Sequence, residues 1–397
     1  MEPSQAEHAT GFRSEVGPVL FLALIFLFNF IGRIVLAPLM PTIEQELGIT
    51  HGQAGSLFLL VTLGYFLTVM ASGFLSARVN HRRTIIFSAA AVGVALLFVS
   101  RSGGLWGLRL GLFGLGLAAG FYLASGIAVL TSQVSSRHWG KALAVHELAP
   151  NLSFVFAPLL AEAFLRFMPW RGVLAVLGFV SLSLAFVFAR FGRGGRFKGE
   201  PPNLRAFRIL VNRPSFWIMM ALFGVGIAGT LGVFSMLPLY LTLERGMDRS
   251  FANTIIGLSR FAGVFTAFLA GWATDRIGPQ KTLIYVLFAS GLLTLLLAGL
   301  PGFWIILPVF LQPMVAAAFF PAGFAALSHI GPPEIRSIAV SIAVPFGFLF
   351  GGGIVPIGIG IMGDAGAFGL GVGVVGLCIL AGSLLSRYLR FSSDSPS

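Results

Sequence analysis

The chain has 397 residues, of which 56% are hydrophobic and only 10% are charged, and its mean hydropathy is +0.92. Because a soluble domain usually has about 25% charged residues, this composition excludes an ordinary soluble enzyme or binding domain. The 26 basic residues exceed the 14 acidic ones, but they stand between long apolar runs and so do not indicate a nucleic-acid partner.

Twelve apolar runs follow one another along the chain, and they approach the roughly 20 residues that a helix needs to cross a bilayer. The runs are continuous, which is typical of membrane helices and not of the alternating strands of a membrane barrel. We therefore predict an all-α membrane protein surrounded by a lipid bilayer. The predicted spans are 18–40, 53–76, 84–100, 104–133, 140–167, 170–190, 215–242, 250–274, 281–300, 302–329, 335–362 and 366–388.

Basic residues are concentrated in alternate loops. With the N-terminus inside the cell, the cytoplasmic segments hold 18 of the 26, the outside loops hold five, and three lie within spans. This asymmetry is the positive-inside signature, and it predicts a multi-pass protein of the cytoplasmic membrane with both termini in the cytoplasm. The single cysteine, Cys378, leaves no internal disulfide or cysteine-built metal site, and we expect neither a metal nor a cofactor.

Span 1 carries an arginine in its interior. Arg33 lies about 15 residues into the span, or roughly 22 Å from its inner end, and Asn29 precedes it by one turn on the same face. A charge inside the membrane costs at least about 2.5 kcal/mol, so Arg33 needs a partner or an aqueous cavity. Either Arg33 and Asn29 bind an anionic ligand, or the arginine reaches the outer interface or holds a structural ion pair.

Span 4 contributes two further candidate ligand contacts, Arg109 and Tyr122. They are thirteen residues apart and therefore do not share a helix face. Because Arg109 is only five or six residues from the outer end of the span, it either contacts the ligand or extends to the interface.

Span 5 contains a row of polar residues. Glu147 is the candidate for proton coupling, with His146 as a neighbour that titrates near neutral pH and Asn151 one turn further on as a candidate ligand contact. The alternative is that Glu147 forms a structural ion pair with an arginine of the same half. Glu162, near the outer end of the span, is expected to pair with Arg166.

The segment 191–214 is basic and contains Gly and Pro, and it divides the chain into two predicted bundles, 1–190 and 215–397. Leu204, Phe207, Leu210 and Val211 are spaced for one apolar helical face. The segment is either a short helix beside anionic lipid headgroups or a flexible linker.

Span 8 repeats the pattern of span 2. Arg260 lies within it at a depth similar to that of Arg33 and is a candidate ligand contact. The loop GWATDRIGPQKT that follows begins at Gly271, and GFLSARVNHRRT begins at Gly73, 198 residues earlier. The offset is about half of the chain, which predicts two similar halves.

Six spans, a basic connector and six more spans, with this loop repeated after spans 2 and 8, resemble the major facilitator superfamily. The resemblance implies two pseudo-symmetric six-helix bundles that rock about a central site lined by span 1. It also implies that Asp275, Arg276 and Lys281 form a cytoplasmic gate.

The copy of the loop in the first half has Ala77 where the family has Asp. Without that carboxylate, Arg78, Arg82 and Arg83 either belong to the same gate or serve only to orient the chain.

We predict a monomeric secondary transporter that works by alternating access and moves a small, carboxylate-like organic anion together with protons. Within the spans arginines outnumber acidic residues, and this excess of positive charge is the reason for predicting an anionic substrate. The alternative is a proton-driven exporter of hydrophobic or amphiphilic compounds, because there are 40 Phe residues and SFVFAPLLAE in span 5 resembles an exporter signature of the family. Neither a Ser/His/Asp arrangement, an HExxH motif nor a P-loop can be found, so an enzyme is not expected.

Overall fold

The fold is given by a computed structural model that describes residues 12–199, 210–330 and 333–391, and every regular element in these ranges is a helix. Eleven helices are long and apolar enough to cross a membrane, and a bent pair supplies the twelfth. This confirms the predicted fold class. In chain order the helices are α1 Glu15–Leu47, α2 His51–Arg78, α3 His81–Ser100, α4 Leu105–Gln133, α5 Ser136–Leu165, α6 Trp170–Phe191, α7 Pro214–Glu244, α8 Arg249–Gly263 with Phe268–Ile277, α9 Pro279–Gly299, α10 Gly302–Ser328, α11 Ile338–Asp364 and α12 Phe368–Tyr388.

The two halves pack their helices in the same pairs. Helices α1 and α5, α2 and α4, and α3 and α6 contact each other in the first half, as α7 and α11, α8 and α10, and α9 and α12 do in the second. A Cβ on Gly93 would lie 2.7 Å from the Gly178 carbonyl oxygen, and a Cβ on Gly291 would lie 2.9 Å from that of Gly376. Since each glycine of the second pair lies 198 residues after its counterpart, the same close helix contact is built twice.

The halves meet tightly at one end of the molecule, here called the closed end, where α11 approaches α2. A Cβ on Gly55 would lie 2.5 Å from the Pro356 carbonyl oxygen, and one on Gly360 would overlap the carbonyl of His51. Only residues without a side chain permit this approach of two backbones. The other end, which carries Arg82, Arg190 and Arg276, is called the basic end.

A second cross-bundle contact at the closed end joins α5 to α8. The expected pairing of Glu162 with Arg166 is wrong: Glu162 accepts hydrogen bonds from Arg249 at 3.2 Å and from Asn253 at 3.3 Å. Helix geometry ends at Leu165, so Arg166 lies in an exposed turn while Glu162 faces the other bundle.

The first part of the predicted linker is held against the basic end of the first bundle. The N–H of Gly199 donates to the Ser76 carbonyl at 2.8 Å, and the N–H of Arg82 donates to the Gly195 carbonyl at 2.8 Å. Leu204 and Phe207, half of the predicted apolar face, lie outside the described residues, whereas Leu210 is buried.

Candidate functional site

A narrow cavity lies between the two bundles at the middle of the helices, and its volume of about 20 Å³ is room for about one water molecule in this conformation. Its wall is mostly apolar and aromatic, with one guanidinium and a few hydroxyl groups, as is typical of sites for small molecules. The residues that define its chemistry are Phe30, Arg33, Thr62, Tyr65, Ser235 and Phe348, from α1, α2, α7 and α11.

Arg33 of α1 is held between two aromatic rings. Its guanidinium carbon lies 4.4 Å from the ring centre of Phe30 and 4.4 Å from that of Tyr65, and the side chain is only 8% exposed. Its Nε has no hydrogen-bond partner, and no carboxylate of the described residues pairs with it.

Arg260 of α8 has a closely similar environment. Its guanidinium carbon lies 4.7 Å from the ring centre of Phe154 and 4.9 Å from that of Phe234, and Nη2 donates to the Thr230 carbonyl at 3.1 Å. Thr230 lies in a π turn of α7, where the regular helical hydrogen-bond pattern is interrupted. Within the described ranges, Arg260 likewise has no carboxylate partner and an unpaired Nε.

One aromatic contact joins the two arginines. Phe30 and Phe154 meet edge to face with ring centres 5.5 Å apart, and each also carries one of the guanidinium groups. The structure therefore brings Arg33 and Arg260, which the sequence predicted separately, to neighbouring positions at the bundle interface.

The rings explain how an arginine without a carboxylate is tolerated inside the membrane. Desolvated cation–π contacts are worth about 2 kcal/mol each, comparable to the roughly 2.5–3.5 kcal/mol that an arginine costs on insertion scales. Aromatic faces stabilise the charge without neutralising it or accepting its in-plane hydrogen bonds. Both guanidinium groups consequently keep donors for an anion.

Of the predicted ligand contacts, only Arg33 lines the cavity; Arg260 lies one aromatic pair away from it, and the others lie elsewhere. Asn29 donates to the Ala119 carbonyl of α4 at 3.3 Å and does not line the cavity. Arg109 lies with its guanidinium carbon 4.9 Å from the Trp106 ring, which is 73% exposed on the outside of the bundle.

Tyr122 and His146 form a buried pair in the first bundle. The Tyr122 hydroxyl donates to the Leu22 carbonyl at 2.6 Å and lies 3.2 Å from Nε2 of His146. Phe26 stacks on both rings, at 5.2 Å from Tyr122 and 4.6 Å from His146. Neither Tyr122 nor His146 lines the cavity, but Nδ1 of His146 lies 3.5 Å from Glu147.

Glu147 is 55% exposed although it lies well inside α5. In the described part of the chain no arginine lies within ion-pair distance of it, and its ionic neighbour is His146. Asn151 is exposed and donates to the Glu147 carbonyl at 2.9 Å.

Of the three basic residues after α2, only Arg82 has extensive contacts. Its guanidinium donates to the carbonyls of Ala189, at 2.8 Å, and Gly192, and so caps the C-terminal end of α6. Arg78 and Arg83 are exposed.

The corresponding loop after α8 is also exposed. Asp275, Arg276 and Lys281 all have accessible side chains, and Arg276 lies 5.3 Å from the Trp272 ring. Among the described residues, Asp275 forms no ion pair. These residues are not latched together at the basic end in this conformation.

Sequence reasoning did not identify the aromatic rings around the two arginines. With 40 Phe residues in the chain, a single Phe carries little information. Phe30 is the one ring that the sequence could have indicated, because it precedes Arg33 by three residues and so lies on the same helix face.

Comparison with known proteins connects this geometry to a family. A family model described as Major Facilitator Superfamily matches residues 22–356 and 233–396. A solved bacterial homolog of the human lysosomal transporter Spinster, in an inward-facing and occupied conformation, superposes with a TM-score of 0.83. That match has 16% sequence identity and covers 96% of this chain and 99% of that one.

Two curated relatives show the range of proteins that this chain resembles. The D-galactonate transporter of Escherichia coli O6:H1 is 24% identical, and the match covers 92% of this chain and 94% of the relative. The class G tetracycline resistance protein of Vibrio anguillarum is 27% identical, over 77% of this chain and 80% of the relative.

Proposed function

Since the chain belongs to the major facilitator superfamily and is a secondary transporter rather than an enzyme, we propose that its cargo is a small, carboxylate-like organic anion carried with protons. The observation that carries this proposal is the pair of buried Arg33 and half-buried Arg260, two cations between the bundles that have no carboxylate partner in the described chain. An arginine fork binds a carboxylate through two parallel hydrogen bonds, so an anion supplies what both side chains lack.

The likeness to the D-galactonate transporter supports the same class of cargo, because that protein is named for a carboxylate-bearing sugar acid. Thr62, Tyr65 and Ser235 line the cavity beside Arg33 and offer hydroxyl groups to a hydroxylated anion. The transporter is proposed to act as a monomer.

Alternating access is the proposed mechanism, with the basic end at the cytoplasm and both termini on that side of the inner membrane. Tight contacts at the closed end and the likeness to a structure named as inward-facing support a cavity that opens to the cytoplasm in this state. In the opposite state, Asp275, Arg276 and Lys281 are proposed to meet the loop of Arg78, Arg82 and Arg83 and close the basic end.

Proton coupling is assigned to Glu147 with His146 beside it. Glu147 is 55% exposed and lies 3.5 Å from Nδ1 of His146. The proposal places the coupling proton on this pair, in the same bundle as Arg33, so that binding of the proton and of the anion is coupled.

A second candidate function is a proton-driven exporter of hydrophobic or amphiphilic compounds, which the likeness to the tetracycline resistance protein favours. The number of Phe residues gives it less support than the sequence suggested, because many of them lie exposed on the outside of the helices. Examples are Phe87, Phe98, Phe179, Phe186, Phe265 and Phe268.

Uptake into proteoliposomes tests the proposed function. We would measure accumulation of D-galactonate, sulfoacetate and a set of dicarboxylates with and without an imposed proton gradient. The proposal predicts that at least one anion accumulates only with the gradient and that Arg260→Ala abolishes this. Export of lipophilic cations in exchange for protons, with no anion transported, would replace it by the exporter.

A further inference from the structure

The hydroxyl group of Tyr122 has only one hydrogen, and its direction is fixed. Tyr122 is fully buried, and its oxygen lies 2.6 Å from the carbonyl oxygen of Leu22, which can only accept. The hydroxyl hydrogen is therefore committed to α1. The Tyr122 oxygen can therefore take part in a second hydrogen bond only as the acceptor.

This direction determines which nitrogen of His146 carries hydrogen. Nε2 lies 3.2 Å from the Tyr122 oxygen, which is hydrogen-bond distance, and the two ring planes are nearly parallel, with an angle of 6° between them. Because the oxygen is an acceptor there, Nε2 must be the donor.

The other nitrogen, Nδ1, is then the basic one. It is buried without a hydrogen-bond partner in the described chain, and it lies 3.5 Å from Oε1 of Glu147. An unprotonated ring nitrogen and a carboxylate oxygen repel each other unless a proton is present on one of them. The two groups thus provide a site that a transferable proton can occupy.

We propose that Tyr122 is a positioning residue that holds His146 in its Nε2–H tautomer, so that Nδ1 of His146 exchanges the coupling proton with the carboxyl group of Glu147. The inference rests on the proposed proton coupling and assigns the atoms that carry it out. Glu147, 55% exposed, receives a proton from water, and fully buried His146 takes it further into the protein. In this step the Glu147 O–H bond breaks and an Nδ1–H bond forms, leaving a carboxylate and an imidazolium.

The groups around this pair come from three neighbouring helices. Tyr122 of α4 and Phe26 of α1 cover His146, and Tyr65 of α2 is within reach of the Glu147 charge. The charge nearest to Tyr65 is that of Arg33, 4.4 Å from its ring centre.

Histidine nitrogen chemical shifts test the proposal without any substrate. The full chain, labelled with ¹⁵N only in its six histidines, is placed in lipid nanodiscs and its solid-state spectrum followed against pH, with His146→Gln used to identify the signals. At alkaline pH we expect a protonated Nε2 and an unprotonated Nδ1 at His146. On acidification Nδ1 should gain the proton, and in Glu147→Gln this midpoint should move to lower pH.

Tyr122→Phe keeps the ring and removes the acceptor, so a population with hydrogen on Nδ1 should appear and the midpoint should shift. Tyr240→Phe is the matched control, because Tyr240 is equally buried and also donates to a backbone carbonyl, that of Leu297 at 3.0 Å, in the other bundle. The control should leave the His146 signals unchanged.

A wild-type His146 with hydrogen on Nδ1 would overturn the proposal even if Tyr122→Phe could not be folded. A folded Tyr122→Phe with wild-type tautomer and midpoint would overturn it as well. Failure of the proposed function is a separate result, namely anion transport that ignores a proton gradient, and the nitrogen spectra do not depend on it.

Discussion

The carboxylate of Asp364 accepts hydrogen bonds from the backbone N–H groups of His51, at 2.7 Å, and Gly52, at 3.0 Å, across the boundary between the bundles. These N–H groups begin α2 and have no partner within their own helix. Asp364, at the end of α11, thus supplies a cap and a negative charge to the N-terminus of a helix in the other bundle.

Glu162 joins the bundles in the opposite direction, through side chains and not through backbone N–H groups. It stands near the end of α5 and accepts hydrogen bonds from the side chains of Arg249 and Asn253 near the start of α8. Arg249 lies 198 residues after His51, so the two donor residues hold corresponding positions in the two halves. Each fifth helix therefore holds the second helix of the other half through a carboxylate.

Loss of the Asp364 carboxylate should open the closed end. A helix cap with its charge contributes about 1–2 kcal/mol, so Asp364→Ala should shift the equilibrium towards the state open at that end by roughly 5- to 30-fold. Spin labels on Phe167→Cys and Phe303→Cys, exposed in opposite bundles at this end, would report the change in a Cys378→Ser background. Longer label distances should become more populated.

Asp248→Ala is the matched control for Asp364. Asp248 caps its own helix by accepting from the Phe251 N–H at 2.9 Å, so its loss should reduce stability without changing the label distances. Equal label-distance distributions in wild type and Asp364→Ala would show that Asp364 does not hold the closed end shut.

Adding a side chain at Gly360 should prevent the closed end from closing. Its Cβ would overlap the His51 carbonyl, and a backbone group cannot move aside as a flexible side chain can. Gly360→Val should therefore hold the protein in the state with long label distances and abolish transport. Gly358→Val, in the same helix with open space around it, should leave both unaltered, and transport by Gly360→Val at the wild-type rate would contradict the contact.

Glu147→Gln should separate transport from the proton gradient. The amide keeps the size of the side chain but cannot release a proton, so exchange of labelled for unlabelled anion should continue while gradient-driven accumulation is lost. Glu46→Gln, which alters a half-exposed pair with Arg171 at the closed end, serves as the control and should accumulate normally. Accumulation by Glu147→Gln equal to wild type would place the coupling site elsewhere.

Arg82→Ala should weaken the first bundle. Hydrogen bonds to charged groups contribute about 1.5–3 kcal/mol, and this side chain donates to the carbonyls at the end of α6. We expect a lower midpoint of thermal unfolding in detergent. Arg83→Ala, at the adjacent exposed position, should unfold like the wild type, and a similar result for Arg82→Ala would show that the cap is dispensable.

The helices and the internal repeat were predictable because apolar runs of bilayer length and a constant offset of 198 residues are properties of the sequence itself. Arg33 and Arg260 were predictable for a related reason, since a charge within such a run is costly and needs an explanation. The contact between Phe30 and Phe154 that brings them close was not predictable, because three helices distant in sequence, α1, α5 and α8, create it.

The partner of Glu162 shows where local spacing misleads. Arg166 is four residues away, the distance of a neighbouring helix position, but the helix ends at Leu165 and the side chains diverge. Arg249, the partner found, belongs to the other half, and only the packing of the two bundles brings it within 3.2 Å.

Ligand-dependent thermal stability of the purified protein in detergent tests the anion site most directly, with small carboxylates, inorganic anions and lipophilic cations as probes. A ligand at 100 times its dissociation constant should stabilise the folded state by about 2.7 kcal/mol. We predict stabilisation by one class of carboxylate in wild type and in Arg109→Ala, whose arginine lies over Trp106, and none in Arg260→Ala. Equal stabilisation of Arg260→Ala by that carboxylate, or stabilisation of all three proteins by lipophilic cations alone, would contradict an arginine-lined anion site.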